Sequence, residues 1–186
     1  MTGVQTCALP ICYIEEFSTA RLLRDAHLGS IWEGTGNIVA LDALKRAVGR
    51  HGAEAALAAD LHARLDDSTN VPQVWRDRLR GLTDRAVGFA REVAGRSDHE
   101  AEARRATSLL YHVASAVALA WEAGRIHAMR GDARRLLLSR MVIDHRVQPN
   151  DPFRLTENAP QRAMTEHLLG DRAIGMAEVG ELLVAA

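Results

Sequence analysis

The chain contains only two cysteines, Cys7 and Cys12, among its 186 residues. Both lie in the first twelve residues, so residues 13–186 have no thiol that could form a disulfide, act as a nucleophile or bind a metal. A protein without disulfides suits a reducing compartment. The composition therefore favours a cytoplasmic protein.

Long apolar runs and an excess of charge of either sign are also missing. No apolar run approaches the roughly 20 residues that a membrane span needs, so we expect no membrane association. The formal net charge is −1, and residues 38–186 carry 21 Arg or Lys against 20 Asp or Glu. This balance does not favour phosphate binding, which needs a concentrated basic face.

Alternation of apolar and polar residues with period two is absent, whereas apolar residues recur at three- and four-residue spacing nearly throughout. Hydrophobic residues make up 47% of the chain, which is enough for one domain with a sizeable core. The pattern predicts an all-α helical bundle. The predicted helices cover 14–27, 37–50, 53–65, 72–94, 98–130, 132–147, 161–169 and 173–183, with Asn37 and Asp98 as N-caps.

Each predicted helix is expected to turn one apolar stripe toward the core. The first two stripes are expected to contain Phe17, Leu22, Leu23 and Ala26, and then Ile38, Leu41, Leu44 and Val48. The two longest helices are expected to bury Val74, Trp75, Leu79, Leu82, Ala86, Val87 and Ala90, and then Ala106, Leu109, Leu110, Val113, Val117, Ala120, Trp121 and Ile126. Arg21 and Asp25, four residues apart, are expected to pair on the solvent side.

The first eleven residues, MTGVQTCALPI, look like the translation of a common sequencing adapter, codon for codon. The last base of that adapter would supply the first base of the codon for Cys12. We therefore predict that residues 1–12 are an artefact and exclude them from the fold reasoning. The authentic sequence is then expected to be the tail of a longer protein.

Most groups of residues that could form a catalytic or binding site have little support in the sequence. No two of the eight histidines are spaced i, i+4, so we expect no metal site. The serines lack the turn that exposes a hydrolase nucleophile. Gly34, Thr35 and Gly36 lack the preceding strand and the full glycine spacing of a nucleotide-binding loop.

Five arginines, Arg130, Arg134, Arg135, Arg140 and Arg146, fall within 17 residues. Two interpretations stand. The cluster is either a solvated or inter-subunit salt-bridge surface, or a patch that binds phosphate groups or nucleic acid.

The stretch Ser30 to Asn37, SIWEGTGN, offers the strongest functional pattern. It places one carboxylate, Glu33, after a tryptophan and directly before two glycines and a hydroxyl, where the backbone can approach a ligand closely. A carboxylate held in an apolar pocket has a raised pKa and can act as a general base. The stretch is thus a candidate base beside a candidate cofactor cradle.

Residues 21–47, RLLRDAHLGSIWEGTGNIVALDALKRA, resemble the C-terminal signature of the acyl-CoA dehydrogenase family. The resemblance implies FAD as cofactor and α,β-dehydrogenation of an acyl-CoA thioester. It implies that Glu33 is the catalytic base, that Gly34 lies against the thioester, and that Thr35, Gly36 and Asn37 contact FAD. Some branches of the family place the base elsewhere in the chain. A homo-oligomer, tetramer or dimer, and an electron-accepting flavoprotein partner are also implied.

A standard member of that family ends soon after this helix, whereas 136 residues follow Arg50 here. This extension, with WEGTGN followed by LDAL, resembles the AidB-like branch of the family. The resemblance implies that residues 13–50 end the dehydrogenase's helical domain and that 51–186 form an extra helical domain. In the alternative interpretation this tail binds DNA or a partner subunit, and catalysis is secondary. The fragment alone is expected to be inactive.

Overall fold

The computed structural model describes residues 18–32, 35–149 and 159–184. These residues form eight α-helices and no strand, which confirms the predicted all-α bundle. The helices are α1 (Ser18–Trp32), α2 (Gly36–Asp42), α3 (Ala53–Asp67), α4 (Gln73–Ala94), α5 (Ala103–Arg130), α6 (Arg134–Val142), α7 (Ala159–Leu169) and α8 (Met176–Val184). In this part of the chain no helix has the length and apolar character required to cross a membrane.

Two of the helices continue into wider turns. α2 runs into a π-helical segment, Ala43–Arg50, and α6 into another, Ile143–Val147. The wider turns are visible in the bonds that close them, since the N–H of His51 donates to Arg46 at 3.2 Å and that of Gln148 to Ile143 at 2.8 Å. Both end at the residues expected from the sequence, Arg50 and Val147.

The centre of the bundle is the pair α4 and α5, joined by a short 3-10 helix, Ser97–Glu102. They run antiparallel, because Arg105 near the start of α5 stacks on Phe89 near the end of α4. α3 packs on both helices of this pair, α6 packs on α5, and α7 and α8 cover α6. The main core is built mostly from leucine, valine and alanine, including Leu65, Leu79, Val113, Val117, Leu136 and Leu137.

One polar contact crosses the core. The indole N–H of Trp75 on α4 donates to Ser139 Oγ on α6 at 3.1 Å, and Ser139 Oγ donates to the carbonyl of Ala116 on α5 at 2.8 Å. Trp75 is 2% exposed and Ser139 is fully buried. The contact gives two buried polar groups a partner and joins three helices.

A second, smaller core holds α2 against the bundle. Its buried residues are Ala40, Leu44, Val48, Ala90, Val93, Ala103 and Ala106. These side chains come from α2 with its π-helical segment, from the end of α4 and from the start of α5. Lys45 adds an ion pair to Glu100 at 2.6 Å. The helix that follows the WEGTGN stretch is therefore fixed to the end of the bundle.

Several residues predicted to face the core are exposed, and these predictions were wrong. Leu22 is 62% exposed, Ile38 61% and Val74 68%, and Ala26 is also exposed. Successive helical residues are about 100° apart, so burying one residue turns a near neighbour outward. Ala20, Ala40 and Trp75 are buried in the three helices concerned. Phe17 lies outside the described residues.

Other predictions from the sequence were confirmed. In α4, Trp75, Leu79, Leu82, Ala86, Val87 and Ala90 are buried, as are Val113, Val117 and Ala120 in α5. Arg21 and Asp25 form an exposed pair at 3.8 Å.

Two predicted N-caps were wrong. Thr35, not Asn37, precedes the first residue of α2. Asp98 lies inside the 3-10 helix, where its carboxylate accepts hydrogen bonds from Arg96 at 3.2 and 2.8 Å, and α5 begins only at Ala103. In both cases the helical turn starts at a residue with no side-chain cap, which propensity alone does not predict.

Candidate functional site

The described part of the WEGTGN stretch forms the start of α2. Thr35 has an extended backbone, with φ −63° and ψ 146°, and its carbonyl accepts the N–H groups of Ile38 at 2.9 Å and Val39 at 3.1 Å. The second core anchors the helix from Ala40 onward. The turn is thus held in place by buried residues that follow it.

Three predicted cofactor-binding residues, Thr35, Gly36 and Asn37, lie together at this turn, and all three are exposed. The Thr35 side chain makes no capping hydrogen bond. A Cβ atom added to Gly36 would meet no atom of the described chain within 4 Å. The turn therefore has open space beside Gly36 and a hydroxyl that the helix does not use.

Glu33 and Gly34, the predicted base and substrate contact, lie outside the described residues. Their roles stay predictions from the sequence. The structure brings together three of the five predicted site residues, in consecutive positions.

Large apolar side chains are exposed on both helices that flank the turn. Leu22 on α1 is 62% exposed, and Ile38 and Val39 on α2 are 61% and 47% exposed. Burying such a side chain fully is worth about 1.5–3 kcal/mol relative to leaving it in water. These two helices therefore present apolar surface that another segment could cover favourably.

Most arginines of the cluster bind acceptors within the bundle. Arg140 is 5% exposed and donates to Asp144 at 3.0 Å and to the carbonyl of Leu182. Arg135 pairs with Glu122.

Arg134 of the same cluster donates to the carbonyl of Arg172 at 2.8 Å. Arg130 and Arg146 are exposed. Three of the five cations thus already have an acceptor, which supports the structural interpretation of the cluster more than a phosphate-binding face.

No group of three or more His, Cys, Asp or Glu side chains placed to hold a metal ion occurs among the described residues.

A groove of about 460 Å³ opens between α4 and α5, beside the end of the Ile143–Val147 segment. Its apolar lining consists of Leu82, Ala86, Phe89, Leu109, Val113 and Val147. Arg85, Gly88, Glu92, Arg105 and Gln148 line it as well. Sequence reasoning missed the groove because it assigned four of these residues to the core. Spacing identifies an apolar stripe but not whether another helix covers it.

His112 on α5 directly precedes Val113, which lines the groove. Burial lowers the pKa of the His112 imidazole, and the positive charge of Arg146 lowers this pKa further. The imidazole is therefore biased toward its neutral form.

Comparison of the chain with models of known protein families, with curated proteins and with solved structures found no match.

Proposed function

We propose that the chain is the C-terminal helical part of an FAD-dependent acyl-CoA dehydrogenase, in which Glu33 removes the α-proton of an acyl-CoA thioester. The observation that carries this proposal is the WEGTGN sequence at an exposed helix start. Its described residues, Thr35 to Asn37, are open to a ligand and are fixed by the second core behind them.

The residue types suit this chemistry. A carboxylate can accept the α-proton when it is held beside that carbon in a water-poor pocket, where its pKa rises toward neutrality. A backbone N–H near Glu33 would stabilise the negative charge that develops on the thioester oxygen. Bound FAD would supply the acceptor for the hydride that leaves the β-carbon.

The residues at the turn also fit a flavin contact. Gly36 leaves room for close approach within the described part of the chain, since a Cβ there meets none of its atoms within 4 Å, and the Thr35 hydroxyl makes no capping bond. Asn37 is exposed and offers an amide that can both donate and accept. The exposed Leu22 and Ile38 supply apolar area on which the flavin-binding part would pack.

Replacement of Glu33 by glutamine tests the role of the base in the longer gene product that the resemblance implies. Glu33→Gln keeps size and hydrogen bonding, so FAD binding should survive. The rate of flavin bleaching by acyl-CoA should fall by about 10²- to 10⁴-fold. Glu181→Gln, an exposed carboxylate on α8, is the matched control and should bleach at the wild-type rate. Bleaching of Glu33→Gln at that rate would place the base elsewhere.

The alternative proposal, that the helical tail binds DNA or a partner subunit, rests on the AidB-like resemblance. Arg134, Arg135 and Arg140 already donate to acceptors within the bundle. We therefore favour this proposal less than the dehydrogenase. Duplex binding measured at several salt concentrations tests the DNA form. If these arginines neutralise phosphates, replacing Arg134 and Arg135 should reduce the log–log salt slope by about one unit each. We expect weak binding with no such dependence.

A further inference from the structure

The groove between α4 and α5 has the size and lining of a small-molecule site. Its volume of about 460 Å³ lies within the roughly 300–1,000 Å³ of typical ligand pockets. Along α4 it extends from Leu82 to Glu92, which corresponds to about 15 Å at 1.5 Å per residue. The groove is therefore long and mostly apolar.

One end of the groove carries an arginine that has no partner among the described residues. Arg85 is exposed, lines the groove, and makes no hydrogen bond or ion pair with any residue that the structure describes. Gln148 lies at the same end, and its side-chain oxygen accepts a hydrogen bond from Arg78 at 3.0 Å, so that its amide N–H₂ is left to donate.

The charged side chains around Arg78, which donates to Gln148, also bear on the charge at this end of the groove. Asp144 is engaged by two arginines, Arg78 at 3.6 Å and Arg140 at 3.0 Å. The charge of Arg146 also lowers the pKa of His112. At the Gln148 end of the groove, the negative charge of Asp144 is thus offset by Arg78 and Arg140.

The other end of the groove carries no excess of positive charge among the described residues. Arg105 pairs with Glu102 at 3.0 Å and stacks on Phe89 at 4.9 Å, and Glu92 adds a negative charge there. An anion would find no net attraction at this end, whereas the Phe89 ring and Leu109 offer apolar contact. The two ends of the groove therefore suit different parts of a ligand. The Arg85 end suits a negatively charged group, and the Phe89 end suits an apolar chain.

We propose that this groove binds an amphipathic anion, with its unbranched apolar chain along the Phe89 and Leu109 side and its carboxylate beside Arg85 and Gln148. The arginine and the amide supply charge-assisted and neutral hydrogen bonds to the carboxylate. The proposal does not depend on acyl-CoA dehydrogenase activity.

Calorimetric titration of the full chain with decanoate, and with decyltrimethylammonium as a cation of equal chain length, tests the proposal. Decanoate should bind at one site per chain and the cation should not. Arg85→Gln should weaken decanoate binding about five- to tenfold. Arg104→Gln, an exposed arginine on α5 that does not line the groove, should leave it unchanged.

Glycine substitutions on α4 give a second, sterically defined test. A Cβ at either Gly88 or Gly81 meets no atom of the described residues within 4 Å, but only Gly88 lines the groove. Gly88→Leu should therefore abolish decanoate binding while far-ultraviolet circular dichroism stays helical, and Gly81→Leu should bind as wild type.

Three results would overturn the proposal. The first is no decanoate binding by the wild-type chain below millimolar concentration, and the second is equal binding of the cation. The third is displacement of decanoate by an acidic amphipathic peptide that binds more tightly, which would make the groove a protein interface.

Discussion

Replacement of Ser139 by alanine removes the hydroxyl that joins α4, α5 and α6 at the centre of the bundle. The indole N–H of Trp75 then has no acceptor, although Trp75 is only 2% exposed. A buried donor left without a partner costs about 1–3 kcal/mol. We therefore expect Ser139→Ala to lower the free energy of unfolding by about 2 kcal/mol.

Urea unfolding followed by far-ultraviolet circular dichroism measures this loss, with the slope of the transition unchanged. In thermal unfolding the same loss corresponds to a fall in Tm of about 4–8 °C for a chain of this size. Ser115→Ala is the matched control. The Ser115 hydroxyl donates to Tyr111 within the same helix at 2.8 Å, so its removal should change stability by less than about 0.5 kcal/mol.

A double-mutant cycle separates the hydrogen bond from packing. Trp75→Phe removes the donor, so adding Ser139→Ala to it should cost about 1 kcal/mol less than Ser139→Ala alone. A loss below about 0.5 kcal/mol for Ser139→Ala in the wild-type background would refute the proposed role of the contact. Equal costs in both backgrounds would show that packing, not the hydrogen bond, is responsible.

Two further predictions concern helix packing and pH. A Cβ at Gly124 would lie 2.6 Å from Asn70 Oδ1, whose amide also donates to the Gly124 carbonyl, so Gly124→Ala should destabilise the chain by about 1–2 kcal/mol. Gly81→Ala, with open space, should stabilise it by about 0.5–1 kcal/mol, and denaturation of both variants checks the contrast. The folded-state pKa of His112 is lowered by burial and by Arg146. The stability that the neutral imidazole contributes is therefore present above the unfolded pKa of about 6.5 and is lost as pH falls below that value. His112→Gln should reduce the loss of Tm on acidification, and equal losses in both proteins would contradict the shift.

Helical periodicity in the sequence was sufficient to predict most of the helices and most of the inward face of α4. It did not predict which side of an outer helix is covered. Leu22 and Ile38 have the apolar character of core residues, yet Ala20 and Ala40 occupy the buried side of their helices. That choice depends on packing between segments far apart in the chain, which spacing within one helix does not contain.

At the candidate sites, too, local features could be predicted from the sequence, whereas features that need tertiary contacts could not. The WEGTGN turn is local, so its position at a helix start could be predicted from the sequence, although the N-cap could not. The groove depends on α4 and α5 meeting beside Val147, with no third α-helix of the described residues contributing to its lining. The burial of Arg140 depends on the carbonyl of Leu182, 42 residues away. Both features arise from tertiary contacts.

The most direct test of an acyl-CoA dehydrogenase assignment is the visible absorption spectrum of the longer gene product that the resemblance implies, before and after anaerobic addition of acyl-CoA. This spectrum is compared with that of the 186-residue chain alone. We expect the longer protein to purify with bound FAD and its flavin bands to bleach with an acyl-CoA, whereas the chain alone is colourless and shows no acyl-CoA oxidation. A longer protein that binds no flavin, or a bound flavin that no acyl-CoA reduces, would contradict the assignment.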